Sequence, residues 1–600
     1  MYYPRFNEVQ RYREMTTVFG GYNHQISCQE GQFYDMQNMS SQYFPVLSPR
    51  PNRMISNQFD NPQAIMNKQD YLYVLDNGLM IVYDNVSILG FEKLKLSKET
   101  PKTLVKMGAY VIIMPDKVWW NTAEDSYLNF DKAFGKIENV WENKGDSVSF
   151  DLCDERGAKV NAYDAKYYED NPDKLVDGAY MKGVNSAGKT TLKIYSQATG
   201  IWMTVASTYV SISCVGIGEG FEKGDGITVS TKSEIAKDLF VNEAKDGWYS
   251  ISTYIVDKTN DSITIPGIIE INNGSNSAFK VERKMPDMAF ITECNNRLWG
   301  CSKDGREIYC SKLGDFKNWN CFRGISTDSW AATLGSDGVF TGATTFLGYP
   351  IFFKEDSIIK ISVSGTGGHA LKETKCRGVQ KGSENSIAIL NETLYYKSTS
   401  GICGYSGSLP YSVSDDLGNE RYYDAVAGAV GDRYYVSMRD ANGKYGLFVF
   451  DIKNGIWCKE DDTKALMFCR CGDELFYIDA DKTLKSVGGG KIYGFKSKAE
   501  GAFGWYAESG NIGYMSPDNK YVGRFNIRLT LEFGTNVDLY LQYDSSGEWK
   551  HVLNMSGKGT RTYSVPVIPR RCDHFKYKIV GRGGCKIHSI TKSMEEGSDT

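Results

Sequence analysis

The sequence predicts an all-β chain: a β-propeller of about seven blades, an inserted β-sandwich or barrel domain, and a C-terminal jelly-roll-like β-sandwich. Three observations carry that prediction. Aromatic residues and glycine are abundant, with 39 Tyr, 28 Phe, 11 Trp and 61 Gly against only 15 Pro, the composition of many short strands and turns. A strand–turn–strand unit recurs at intervals of about 40–50 residues, the spacing of propeller blades. One interval in that series is too long by about 140 residues, enough for a domain.

Residues 1–55 read as an extended N-terminal arm. Its first thirty residues are polar and are expected to be extended or partly disordered. Over 31–53, Pro45, Pro49 and Pro51 argue against a helix, and Phe33, Tyr34, Tyr43 and Phe44 need a surface to pack on, so this stretch reads as an ordered arm pinned to the main domain. These four aromatics are the candidate assembly residues, with the arm expected to add to a neighbour's sheet edge. The first blades occupy 56–131, including KQDYLYVLDNGLMIVYDN (68–85) and MGAYVIIMPDKVWWNT (107–122). Residues 132–285 form the inserted domain, where TTLKIYSQATGIWMTVASTYVSIS and DSITIPGIIEI alternate as strands do. SEIAKDLF (233–240) is its one short helical candidate.

The propeller resumes over 286–490. Its clearest unit is PDMAFITECNNRLWGCSKDGREIYCSKLGDFKNW (286–319), with turns at Asn295-Asn296 and Asp304-Gly305. Arg297, Trp299 and Trp319 in it are expected to pack the blade. Equivalent positions follow at Tyr349, Leu394, Tyr434 and Leu475, and FVFDIKNGIW (448–457) resembles the strand–turn–Trp ending of kelch-type blades. Residues 491–600 hold five further alternating strands, read as the C-terminal sandwich.

A net charge of −4 with 24% charged residues gives no electrostatic case for wrapping nucleic acid. No apolar export segment and no run of membrane-spanning length stands in the sequence, so a soluble chain without a cleaved signal is expected. The 14 cysteines are sparse; Cys469-Arg470-Cys471 has no second pair at zinc-site spacing, and buried free thiols in a reducing compartment are expected.

Several motifs resemble chemical sites without their context. Gly183-Val-Asn-Ser-Ala-Gly188-Lys189-Thr190 matches the phosphate-loop pattern, but a strand-like sequence follows where a helix is required, so a hairpin loop is expected. Leu447-Phe-Val-Phe-Asp451 falls inside a blade repeat, and VGIGEGFEKGDG (215–226) reads as a flexible loop. Glu460-Asp461-Asp462 and the Asp479/Asp481 pair lack a calcium loop and read as solvated turn carboxylates. The five histidines are scattered; His574 and His588 could approach one another in the C-terminal sandwich, but separate core or surface histidines are expected. No catalytic residue, metal or cofactor is assigned. The candidate glycan contacts are Trp505, Tyr506 and Trp549, aromatics that stack on sugars if exposed and fill the sandwich core if not.

Three blocks carry a resemblance: FGGYNH…GQFYDMQNMSSQYFPVLSPRP (19–51), CNNRLWGCSKDGREIYCSKLGDFKNW (294–319) and VPVIPRRCDHFKYKIVGRGGCKIHSITKSMEEGSD (565–599). Together they resemble structural proteins of tailed bacteriophages, the group labelled stabilization proteins and akin to the nozzle or tail-hub propellers of short-tailed phages. The resemblance implies a non-enzymatic virion tail component made in the host cytoplasm. It implies an oligomeric ring, a hexamer by preference, among other tail proteins, sealing or extending the tail and in passing contact with genomic DNA. The alternative is a tail-tip protein that binds a host-surface glycan.

Overall fold

In the computed structural model the described residues are 10–83, 86–125, 127–184, 190–205, 208–232, 242–243, 248–267, 278–363, 368–491 and 495–597. The candidate helix at 233–240 lies outside them. The chain divides into two compact units, one of residues 1–104, 352–359 and 373–600, the other of 105–351 and 360–372.

Seven blades stand among the described residues, as expected of a propeller: five are four-stranded sheets, and blades 6 and 7 are parts of a ten-stranded and a five-stranded sheet. In the first unit, blade 1 runs from Pro62–Lys68 to Val86–Ser87, blade 5 from Ala388–Leu390 to Tyr411–Ser412, and blade 6 from Tyr422–Val430 to Ile456–Lys459. Blade 7 takes three strands from Ala465–Ser486 and its fourth, Met54–Gln58, from just before blade 1. Blades 1 and 7 then share a core of Phe59, Leu72 and Val74 with Phe476, Ile478 and Leu484. Blade 4 lies over Gly342–Lys375, where the division between the units falls.

In the second unit, blade 2 (Thr103–Lys136) and blade 3 (Met288–Thr333) pack through Ile112, Met114, Met288, Leu298, Phe316 and Trp319. The Arg297 guanidinium is buried in blade 3 and donates to the carbonyls of Ser311 (2.8 Å), Ser326 (2.7 Å) and Asp328 (2.6 Å). Trp299 and Trp319 are buried beside it. Between the two blades, strands from Asn139–Glu142 to Phe279–Arg283 form the inserted domain, with two sheets about a core that includes Val148, Ile212, Ile227, Ile263 and Val281 and a third, four-stranded sheet over 162–204.

One reading of this region changes. VGIGEGFEKGDG is packed: Ile217 and Phe221 enter the core, and buried Asp225 pairs with Arg283. Gly218 sits where a Cβ would strike the Thr259 carbonyl, so the loop approaches the backbone more closely than any side chain permits. The phosphate-loop lookalike joins Tyr180–Val184 to an antiparallel strand, Thr190–Ser196. Its residues 185–189 lie outside those described.

The C-terminal sandwich faces two sheets across a core of Phe525, Ile527, Leu529, Leu539, Tyr577, Ile579 and Ile587. The arm does not stand free. Gln10–Thr16 pairs with Cys585–Gly597 of the sandwich, Gly21–Tyr22 pairs with Ile456–Lys459 of blade 6, and Gln32–Gln37 pairs with Gly504–Ser509. A ten-stranded sheet results, running from blade 6 through the arm into the sandwich. The cysteines are all unbridged, ten buried and four half-buried. No helix among the described residues is long and apolar enough to cross a membrane.

Candidate functional site

The joint made by the arm brings together most of the side chains that the sequence singled out. Its interior is ionic. Arg50 forms a two-point bond with Glu500 (2.7 and 3.0 Å) and donates through Nε to Asn38 (2.8 Å). Arg53 donates to Glu460 (2.6 Å) and Asp461 (2.7 Å). Glu460 is therefore no solvated turn carboxylate: its side chain is 3% exposed and needs its arginine partner. Burial pushes the Glu460 carboxyl up, against the pull of Arg53. Asp461 and Glu500 are half-buried, yet Arg53 and Arg50 outweigh the desolvation and hold both below the ordinary carboxylate range. Asp479 and Asp481 are likewise held by a lysine, Lys485, at 2.6 and 3.5 Å.

The outer face of the same joint is aromatic and charged. Along Gly504–Ser509 the side chains alternate, so Trp505 and Ala507 point inward and Tyr506 and Glu508 outward. Trp505 is only 1% exposed and donates through its indole to Gly583 O (2.9 Å). It is a core residue and cannot stack on a sugar. Gly581, opposite it, leaves the space its ring fills. Phe33 is fully buried in the same core, which corrects its assignment as an assembly contact: the neighbour it packs on is its own chain.

Tyr34, Tyr506 and Trp549, by contrast, are half-buried and form one belt. Lys578 lies 4.0 Å from the Tyr506 ring centre and 5.5 Å from that of Trp549, and Lys576 lies 4.7 Å over Tyr34. Tyr506 donates its hydroxyl to Asp35 (2.7 Å), while Glu508 faces both lysines (3.7 and 3.4 Å). Burial, then the Asp35 charge, raises the Tyr506 phenol. The belt presents ring faces, ammonium groups and carboxylates that already have partners, a surface suited to binding by stacking and hydrogen bonding. Lys576 and Lys578 were legible as the polar alternate positions of HFKYKIVG; the register that sets them under Tyr34 and Tyr506 was not.

Tyr43 and Phe44 lie elsewhere. Phe44 is half-buried, and Tyr43 is exposed at a cleft of about 550 Å³, with the Lys586 ammonium 3.6 Å over its ring. His574 and His588 do not meet: one bonds Ser545 and Asp573, the other Thr530. No group of three His, Cys, Asp or Glu side chains among the described residues is placed to hold a metal ion.

No protein-family model matches the chain, and no curated protein matches it by sequence. Solved structures with a similar arrangement include an exo-β-1,3-galactanase from Phanerochaete chrysosporium, 11% identical over 50% of this chain and 94% of its own, with a TM-score of 0.20. PorZ of the Porphyromonas gingivalis type-IX secretion system is 11% identical over 90% of this chain and 81% of its own, with a TM-score of 0.25. AztD from Citrobacter koseri is 10% identical over 68% and 94%, with a TM-score of 0.20. Likenesses this distant carry no activity across.

Proposed function

We propose that this protein is a non-enzymatic structural component of a bacteriophage tail, a nozzle- or hub-like ring that extends or seals the tail and retains or conducts DNA. The observation that carries the reading is the interlocking of two of the sequence blocks that resemble such proteins. Residues 19–51 and 565–599 meet backbone to backbone at Leu47 and Ile587. Further along the same strand, buried Lys592 binds Glu14 (2.6 Å) and Glu30 (2.5 Å). What the two blocks specify is thus a mechanical joint, which suits a part that must stay rigid while DNA passes. Its neighbours would be other tail proteins and further copies of itself, six by preference.

Electron microscopy of the purified protein and antibody labelling of virions test the reading. Rings and label at the tail are expected; virions without label would overturn it. A second reading, attachment to a host-surface glycan, is favoured by the half-buried Tyr506–Lys578–Trp549 belt, and Trp549→Ala should then weaken binding to host cells.

A further inference from the structure

The other sheet of the C-terminal sandwich carries a surface of different chemistry. It is built from Gln10–Thr16, Cys585–Gly597, Asn519–Leu531 and Gly559–Pro566. Val522, Phe525, Ile527 and Leu529 point into the core, so the residues between them face out. Directly opposed residues share a face. The register sets Arg13 opposite Ser593 and Ser593 opposite Arg524; further along, Arg528 stands between Ser589 and Thr562. Arg13, Arg524 and Arg528 are all exposed.

These cations lack counter-charges. Among the described residues no hydrogen bond or ion pair holds the side chain of Arg13 or Arg524, and Arg528 donates only to the Thr562 hydroxyl at 3.4 Å. No carboxylate stands in the rows they occupy; the nearest along the ladder is Glu595, paired in register with Tyr521. In a chain of net charge −4, a sheet face with three unpaired arginines among serines and threonines is a local inversion of sign. A hollow adjoins it at each end. One, of about 470 Å³, is lined by Tyr12, Arg13, Tyr521 and, at its far side from the arginine rows, Glu595. The other is the 550 Å³ cleft, where Lys586, Glu532 and a 90% exposed Phe533 line the opening and the buried Ser48 hydroxyl has no partner.

We propose that this face binds an anionic polysaccharide. The arginine forks take carboxylate or phosphodiester oxygens two at a time, the hydroxyl rows meet sugar hydroxyls, and Phe533 offers a ring to a sugar at the cleft end. Charge spacing decides between a polysaccharide and a nucleic acid. Arg524 and Arg528 are four residues apart on one strand, about 14 Å, and Arg13 is two strands from Arg524, about 10 Å. Duplex DNA presents one charge per about 1.7 Å of its axis, far denser than this lattice; a glycan with one acid per repeating unit matches it. The inference rests neither on the tail placement nor on the Tyr506–Trp549 belt, and its failure leaves both standing.

The test is binding of the full-length chain to hyaluronan, which carries one carboxylate per disaccharide, to a capsular polysaccharide with one phosphodiester per oligosaccharide repeat, to neutral dextran and to a mixed-sequence DNA duplex, at low and high salt. Binding to one or both of the anionic chains is expected, weakening as salt rises, with none to dextran; which of the two binds identifies the anion. Arg524→Ser with Arg528→Ser should weaken that binding about tenfold or more. Lys550→Ser, which removes an exposed cation of the other sheet, and Trp549→Ala should leave it unchanged. Equal binding by the double variant, equal binding of dextran, no binding of either anionic chain, or tighter binding of DNA than of both would each overturn the proposal.

Discussion

Blade 3 and the arm–sandwich joint each bury an arginine, and they neutralise it in opposite ways. Arg297 is met by backbone carbonyls 14, 29 and 31 residues away. Arg50 and Arg53 are met by carboxylates 450 and 407 residues away, at Glu500 and Glu460. The blade is therefore closed by neighbours in sequence and by dipoles, and the joint by full charges from distant parts of the chain. A buried carboxylate that loses its cation is left with a charge it cannot solvate, whereas a carbonyl that loses a donor forfeits a hydrogen bond.

The sharpest way to break the comparison is to remove each arginine. Arg53→Ala should cost about 3–5 kcal/mol, because Glu460 is left buried and unpaired, and Arg53→Ala with Glu460→Gln should recover part of it. Arg297→Ala should cost less, about 2–3 kcal/mol for the donors lost to buried carbonyls. Urea titration of the two variants reads the order; a larger loss in the blade would refute it. Gly581→Ala probes the joint by shape instead of charge. Its Cβ would lie 2.2 Å from the Trp505 ring, and a loss of about 1–3 kcal/mol is expected.

Acid should separate the two regions most gently. Burial, then the Arg297 charge, lowers the imidazole of His369, which packs edge-on to Trp299 and Trp330. A lowered histidine stabilises the fold above its ordinary value of about 6.5 and loses that contribution as pH falls through the lower folded value. Asp461 and Glu500, also lowered, keep theirs until pH falls below about 4. Hydrogen exchange at pH 7, 5 and 3.5 should thus show the strands around His369 opening first. Simultaneous opening of both regions would count against the assignment.

The contrast also explains what could be read without a structure. Blade repeats are written in short-range signals: Asn295-Asn296 and Asp304-Gly305 mark turns whichever partner the strands find, and Trp299 and Trp319 were correctly placed as packing residues. The arm aromatics gave no such guidance. Phe33 needs an apolar partner, and a neighbouring molecule satisfies that need in the sequence as well as the protein's own sandwich does. Trp505 and Tyr506 were both offered as sugar contacts, although alternation sends only one of two adjacent strand residues outward, and which one depends on the register with Phe575–Arg582. The glycine-rich 215–226 looked open because its polar residues hide Ile217 and Phe221.

The sequence by itself determined the all-β class, the blade spacing and the presence of an insertion, since these rest on alternation, turn residues and period, all local in the chain. Only the tertiary structure decided that Met54–Gln58 completes blade 7, that the arm belongs to its own sandwich, and that Arg13 joins Arg524 and Arg528 on one face. Those outcomes depend on strand register between segments hundreds of residues apart, and side-chain composition constrains such pairings too weakly to select one.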